Sequence, residues 1–307
     1  MKKFGLIGNG IAHSQSPELF RAAYGGEWPY DLLEGSDFQV LWKKFLDEYH
    51  GVNVTAPFKE TAFAQVAALT ADGLGALSGP AFKAGAINLA VKTPSDGPGS
   101  PEIIYGCNTD FSALILCIAE ACFPGIVNEF QARFGTELVK RVHQFFRQQS
   151  AALYPGGGQA LVAGCGGAGR AAAVAAAELG FDVILANRTK ARAADFALSQ
   201  PQYGFAVCDA KDLKAAVSSC DLIIYTASAE MEGIASLEVG DFRKIGSHHP
   251  KILVEANYKN PTFKDAALMK ILRAGGIYVS GLDWLHLQAL DGFPILTGKS
   301  LPCKSSD

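Results

Sequence analysis

Two glycine-rich loops each follow a short apolar run, which is where dinucleotide-binding folds place a phosphate loop. The loop GCGGAG has the full G-x-G-x-x-G spacing in Gly164, Gly166 and Gly169, followed by the helix pattern RAAAVAAAELG and the strand pattern FDVILA. Such glycines allow a tight turn, a close backbone approach to a pyrophosphate, and close packing of a helix on a strand. The helix N-terminus favours the anion because its N–H groups and dipole are directed at it. We therefore expect a dinucleotide site at 164–169.

The residues after the second strand of this unit indicate which dinucleotide binds. An NAD site would place an Asp or Glu about 20 residues after the glycines, to bind the ribose hydroxyls. Here the sequence has Asn187, Arg188 and Thr189, with Arg192 one turn later. Two guanidinium groups and a hydroxyl suit a 2′-phosphate, so the sequence predicts NADP(H). The alternative is that both arginines form the solvated start of a helix.

The first loop, GNGIAHSQSP, lacks the third glycine, because His13 stands at that position. It offers hydroxyl groups at Ser14 and Ser16 instead. Ser16 is a candidate helix N-cap, with Pro17 at the first helical position. Taken alone, the two serines predict an ordinary cap, and a ligand-binding role needs support from elsewhere in the chain.

That support comes from polar residues at the ends of other strand-like segments. Open α/β sheets bind ligands outside the carboxyl ends of their strands. The polar side chains at such positions, or in the following helices, are Asn53, Thr55, Lys59, Asn88, Asn108, Thr109, Asp110, Tyr258 and Gln288.

The composition is that of a globular chain that is long enough to form two hydrophobic cores. It has 307 residues, 49% hydrophobic and 19% charged, so two domains are expected and disorder is not. The net charge of −3 disfavours a nucleic-acid partner. The seven cysteines are odd in number and lack C-x-x-C spacing, which favours reduced, buried thiols over disulfides or a metal site. With no signal-like or membrane-spanning apolar run, the sequence predicts a soluble cytoplasmic protein.

The elements that must position these residues alternate between strands and helices, which predicts an α/β fold with parallel sheets. The segments 84–92 and 103–107 are expected to pair as a hairpin across the Pro/Gly/Ser turn 93–102. The apolar positions of 126–149 lie close to one stripe and predict one further helix. The last helix is expected to end before Pro294.

Seven motifs, in order along residues 5 to about 298, resemble the shikimate dehydrogenase family: GN-x-IAHS-x-SP, NVT-x-PFK, A-x-N, NTD, G-x-GG, NRT and G-L…Q-A. The resemblance implies NADPH-dependent reduction of 3-dehydroshikimate to shikimate, a step of aromatic amino-acid biosynthesis. It also implies two domains with the active site in the cleft between them. The substrate domain would comprise 1–110 and 281–307, and the Rossmann domain would comprise 111–280. A monomer or a homodimer is expected.

The resemblance also implies the role of each site residue. Lys59 and Asp110 would form the catalytic pair, and Ser14 and Ser16 would bind the substrate carboxylate. The ring hydroxyls or the carboxylate would be bound by Asn53, Thr55, Asn88, Thr109, Asp110, Tyr258 and Gln288. The cofactor would be bound by Gly164, Gly166, Gly167, Ala168, Gly169, Asn187, Arg188, Thr189, Arg192, Thr226 and Gly281.

The proposed chemistry of the pair also follows from general principles. A hydride added to a ketone leaves an alkoxide, which a lysine within hydrogen-bond reach can protonate. Separately, Lys59 could be a surface lysine and Asp110 a helix N-cap.

The chain departs from the family pattern in three places. A longer segment covers most of 120–155, for which an extra packed helix is favoured over an oligomer contact or a lid. Trp284 replaces a small or flexible residue, and Glu255 replaces a common Asp. Two other functions stay open: an NAD-using quinate/shikimate dehydrogenase, and a non-catalytic sensor of shikimate-type ligands. The arginines disfavour the first, and the retained Lys59 and Asp110 disfavour the second.

Overall fold

The computed structural model describes residues 1–95, 99–243 and 248–301. It forms two compact units, one from Met1–Asp110 with the chain from Gln288 onward, the other from Phe111–Leu287. The second boundary therefore lies inside the last helix, seven residues after the predicted position of 281. Cys303 and the tip of the predicted 93–102 turn lie outside the described residues.

The first unit contains a six-stranded sheet of order β2-β1-β3-β5-β6-β4. Its strands are β1 (Phe4–Gly8), β2 (Tyr30–Glu34), β3 (Gly51–Val54), β4 (Gly75–Leu77), β5 (Leu89–Pro94) and β6 (Glu102–Cys107). Its helices are α1 (Ser16–Tyr24), α2 (Phe38–Glu48), α3 (Lys59–Thr70) and α4 (Gly79–Ala84). β1 pairs in parallel with β2 and β3, whereas β5 runs antiparallel to both β3 and β6. The predicted hairpin is confirmed, although β5 starts five residues later than predicted, because 79–84 is helical.

Local sequence explains the start of α2 better than the start of α1. The Asp37 carboxylate caps α2 by accepting hydrogen bonds from the Gln39 and Val40 N–H groups. The prediction of Ser16 as the N-cap of α1 is wrong, because Gln15 holds that position and makes no side-chain cap bond. The Ser16 N–H instead donates to Ser14 Oγ, so both serine side chains face local polar partners.

The second unit has a parallel sheet of order β12-β11-β10-β7-β8-β9. Its strands are β7 (Gly158–Ala163), β8 (Phe181–Ala186), β9 (Ala206–Cys208), β10 (Leu222–Tyr225), β11 (Ile252–Glu255) and β12 (Ile277–Val279). Among the described residues, four of the five connections contain α-helices, α8 (Gly167–Leu179), α9 (Lys190–Ser199), α10 (Leu213–Ser219) and α11 (Asp265–Arg273), while short 3-10 turns lie between β10 and β11. This is the doubly wound dinucleotide-binding order, with its topological switch point between β7 and β10. The predicted Rossmann-type α/β fold is confirmed.

The segment before β7 forms two helices. After α5 (Thr109–Cys122), which begins in the first unit, come α6 (Ile126–Phe134) and α7 (Leu138–Leu153). The prediction of one helix over 126–149 is wrong, because Gly135 adopts a φ of 53° that ends α6. α7 packs on the Rossmann unit, where Phe146 lies 6.2 Å from Phe181 between ring centroids. The ring of His143 also bonds to the Glu178 carbonyl near the end of α8.

The last helix, α12 (Gly281–Thr297), continues through Pro294, so the prediction that it ends before this proline is wrong. Proline removes one backbone hydrogen bond from a helix interior. Phe293 and Leu296 on this turn are almost fully buried in the first unit's aromatic core, and their packing favours continuation.

Three further properties of the described residues concern membrane spans, metal sites and disulfides. None of the helices in these ranges combines the length and apolar character needed to cross a membrane. The same ranges contain no group of three or more His, Cys, Asp or Glu side chains arranged for a metal ion. Six cysteines are described and all are free thiols: Cys107, Cys117, Cys122, Cys165, Cys208 and Cys220.

If α7 stabilises the Rossmann unit by packing, truncating its buried aromatic residue should be costly. Phe146→Ala should lower the free energy of unfolding by about 3–5 kcal/mol, as large-to-small changes in cores do. The matched control is Gln144→Ala on the exposed side of the same helix, which should change stability by less than about 0.5 kcal/mol. Urea unfolding measures both, and equal effects would contradict the packing role.

Candidate functional site

The first unit buries an ion pair at the N-termini of two helices. Lys59 is the first residue of α3, and Asp110 lies in the first turn of α5. Lys59 Nζ is 2.5 Å from Asp110 Oδ2, and the two side chains are 14% and 5% exposed. Lys59 is therefore largely buried and is not an ordinary surface lysine. The Asp110 carboxylate forms an ion pair with Lys59.

Neighbouring side chains hold Asp110 in one orientation. Gln288 Nε2 donates to Asp110 Oδ1 over 2.8 Å, so each carboxylate oxygen has a different partner. The Asp110 N–H donates to Asn108 Oδ1, and Asn108 Nδ2 donates in turn to the Ala86 carbonyl. This polar network fixes the carboxylate and leaves the lysine ammonium with donors beyond the one used in the pair.

The structure brings together Asn88 and Thr109, two of the predicted substrate-binding residues, and their side chains bond to each other. Asn88 Nδ2 donates to Thr109 Oγ1 over 3.0 Å, and the Thr109 N–H donates to Asn88 Oδ1 over 2.7 Å. Both residues are almost fully buried. This pair joins the start of β5 to the start of α5, and so supports the position of Asp110.

A second group of polar side chains comes from the loop after β1 and from β3 and its C-terminal end. Ser14 Oγ lies 3.2 Å from Ser16 Oγ, and Asn53 Nδ2 donates to the Asn88 carbonyl over 3.3 Å. Thr55 follows β3, and its N–H donates to the Ile7 carbonyl of β1. Tyr30, which the sequence motifs do not indicate, donates its phenolic hydrogen to Asn53 Oδ1 over 2.8 Å. Its partners come from other elements, so no local spacing could reveal it.

In the second unit, the glycine loop depends on the absence of side chains at two positions. Gly164 adopts a φ of 108°, and a Cβ there would lie 2.6 Å from Thr226 Oγ1. A Cβ on Gly169 would lie 1.8 Å from the Gly164 carbonyl oxygen. Thr226 Oγ1 donates to that carbonyl, so this predicted cofactor residue supports the loop from β10.

The remaining loop residues fit a dinucleotide pyrophosphate. Gly166 precedes α8 without a side-chain cap, and a Cβ there would meet nothing within 4 Å. Gly167 and Ala168 form the first turn of α8, whose N–H groups are available for an anion by the geometry of a helix start. The open side of Gly166 is where a ligand can approach the backbone.

Asn187 links the glycine loop to the segment that follows β8. Its Oδ1 accepts from the Cys165 N–H, and its Nδ2 donates to the Thr189 carbonyl. Arg188 and Arg192 are both exposed at this end of β8 and the start of α9. The Thr189 hydroxyl makes no cap bond to α9 although Thr189 is its N-cap residue.

Tyr258 and Gly281 also belong to the second unit, and the backbone at Gly281 lies close to the backbone that precedes and includes Tyr258. A Cβ on Gly281 would lie 2.7 Å from the Tyr258 nitrogen and 2.6 Å from the Ala256 carbonyl oxygen. The buried Glu255 stabilises the loop that contains Tyr258. Its carboxylate accepts hydrogen bonds from the N–H groups of Thr262 and Phe263 and from the Tyr278 hydroxyl. Trp284 is buried in the first turn of α12.

The two glycines Gly166 and Gly169 should respond differently to a methyl group. Gly169→Ala should lower the free energy of unfolding by about 1–3 kcal/mol, because its methyl overlaps the Gly164 carbonyl. Gly166→Ala should leave stability within about 0.5 kcal/mol of the wild type but raise the Kd for NADPH at least about tenfold, by blocking the ligand. Urea unfolding and NADPH fluorescence titration measure these effects. Normal NADPH binding by Gly166→Ala would contradict the assignment.

Comparisons with known proteins agree with this division of the chain. The family model described as the shikimate dehydrogenase substrate binding domain matches residues 6–89. The model described as shikimate / quinate 5-dehydrogenase matches residues 153–255.

Similar full-length proteins include two enzymes named shikimate dehydrogenase (NADP(+)). The one from Natronomonas pharaonis is 30% identical, with 98% of this chain and 96% of that protein covered. The one from Methylobacterium radiotolerans is 32% identical, with 94% and 88% covered. The crystal structure of Mycobacterium tuberculosis shikimate dehydrogenase is 25% identical, with a TM-score of 0.69 and 99% and 97% of the two chains covered. The chain belongs to the shikimate dehydrogenase family.

Proposed function

We propose that this chain catalyses the reversible, NADP-dependent interconversion of shikimate and 3-dehydroshikimate. The observation that carries the proposal is the buried contact of 2.5 Å between Lys59 and Asp110, with Gln288 on the second carboxylate oxygen. A preorganised lysine of this kind suits proton transfer to or from a hydroxyl group. The serine hydroxyls of the first loop belong to the same compact unit and suit a carboxylate.

In the direction of reduction, the Lys59 ammonium donates a proton to the ketone oxygen as negative charge develops there. In the direction of oxidation, the neutral amine accepts that proton from the substrate hydroxyl. Asp110 stabilises the ammonium form and orients it, because the carboxylate is itself fixed by Gln288. Ser14 and Ser16 bind the carboxylate, and Asn53 and Thr55 bind ring hydroxyls. Asn88 and Thr109 support this arrangement through their mutual bonds.

The second unit supplies the groups that would hold NADP(H). Its glycine loop and the first turn of α8 fit the pyrophosphate, since the open side of Gly166 admits a ligand. Arg188, Thr189 and Arg192 suit the 2′-phosphate, and Asn187 joins the Thr189 backbone to the glycine loop. When bound, the reduced nicotinamide supplies the hydride. Tyr258 and Gly281 complete the proposed ligand-binding residues of this unit.

Removing the proposed proton donor should abolish most turnover. Lys59→Ala should lower kcat about 100- to 10,000-fold, the usual contribution of a positioned acid or base. The matched control is Lys43→Ala, which removes an exposed lysine whose Nζ lies 2.6 Å from Asp47 Oδ2. NADPH absorbance with shikimate and NADP measures the rates, and thermal unfolding confirms that each variant is folded. A normal rate in Lys59→Ala would refute the assignment.

The two arginines should set the preference for the phosphorylated cofactor. The Arg188→Ala/Arg192→Ala variant should raise the KM for NADP at least about tenfold, because charge-assisted bonds to the 2′-phosphate are lost. Its KM for NAD should change less than about twofold, since NAD has no such phosphate. The control is Arg133→Ala on α6. Equal changes for NADP and NAD would contradict a role in 2′-phosphate recognition.

The same absorbance assay distinguishes the alternative functions. Faster turnover of quinate with NAD than of shikimate with NADP would indicate a quinate dehydrogenase. No turnover of either substrate at high protein concentration, with shikimate binding intact, would indicate a ligand sensor.

A further inference from the structure

Tyr30 contacts one of the polar side chains of the proposed substrate site in the first unit. Its hydroxyl donates to Asn53 Oδ1 over 2.8 Å. Tyr30 lies at the start of β2, and Asn53 lies in β3. A phenol from one strand therefore bonds to an asparagine of another strand that is proposed to bind a ring hydroxyl.

The surroundings of Tyr30 hold its ring in place. The ring lies 4.8 Å from Phe20 between centroids, and its residue is paired in register with Phe4 across β1 and β2. Burial raises the pKa of Tyr30 well above its usual range. The phenol thus stays neutral and keeps the hydrogen that it donates to Asn53.

The bonds to Asn53 define which way its amide faces. Tyr30 donates to the amide oxygen, while the amide nitrogen donates to the Asn88 carbonyl. The reversed amide would place its oxygen against the Asn88 carbonyl oxygen, so that two acceptors would face each other. The amide nitrogen carries a second hydrogen, which this orientation makes available to an oxygen of a ligand.

We propose that Tyr30 is a positioning residue that fixes the Asn53 amide for substrate recognition, so that a ring hydroxyl is bound in a set direction. The inference rests on the proposed function and assigns the recognition of its substrate to one additional residue. Tyr30 acts through Asn53, and it transfers no proton to the reacting oxygen.

The test compares two tyrosines that pack on the same phenylalanine. Tyr30→Phe removes the hydroxyl that bonds to Asn53 and keeps the ring. The control Tyr24→Phe removes a hydroxyl that bonds to Thr297 and the Lys299 carbonyl, on a ring 5.1 Å from Phe20. Tyr30→Phe should raise the KM for shikimate and its Kd by calorimetry about tenfold, with kcat and the KM for NADP changed less than threefold. Tyr24→Phe should leave all four within twofold.

A double-variant comparison shows whether Tyr30 acts through its neighbour. In an Asn53→Ala background, adding Tyr30→Phe should change the KM for shikimate less than threefold, because its partner is already absent. A full tenfold increase in that background would overturn the proposal, as would an unchanged shikimate KM in the single variant. The wild-type assay is read first: if shikimate is not turned over at all, the proposed function fails before Tyr30 is tested.

Discussion

The proposed active site of the first unit is organised around one buried ion pair, Lys59 with Asp110. A buried pair costs solvation energy on both sides, and it is tolerated only when the remaining polar atoms also have partners. Here the Gln288 amide donates a hydrogen bond to the second carboxylate oxygen, and the Asn108 side-chain oxygen accepts one from the Asp110 N–H. The bonds between Asn88 and Thr109 then hold the segment on which Asp110 stands.

The bond between Gln288 and Asp110 joins the two parts of the first unit that are distant in sequence. Gln288 reaches Asp110 only because the chain returns after the Rossmann unit as the second half of α12. Phe293 and Leu296, on the same half-helix, fill the core against β1 and α1, and thereby hold the helix in register with the ion pair. The buried side chains also account for the continuation of α12 through Pro294.

The sequence predicts most of this arrangement, because its strongest signals are local. The glycine spacing with its following helix and strand, and the alternation of strands and helices, predict the Rossmann-type unit. Three local expectations are wrong: Gly135 divides one predicted helix, packing extends another beyond Pro294, and Gln15 rather than Ser16 precedes α1. Tyr30 and the support given by Glu255 depend on contacts between distant segments, which spacing alone does not encode.

The central claim is that Lys59 is placed to exchange a proton with the substrate oxygen. A crystal structure of the protein with shikimate tests this claim most directly. We expect the hydroxyl at the reacting carbon within roughly 2.6–3.2 Å of Lys59 Nζ, the range for proton transfer. The carboxylate should contact Ser14 and Ser16. Shikimate bound with its reacting hydroxyl away from Lys59, or with its carboxylate against Lys59, would contradict the account.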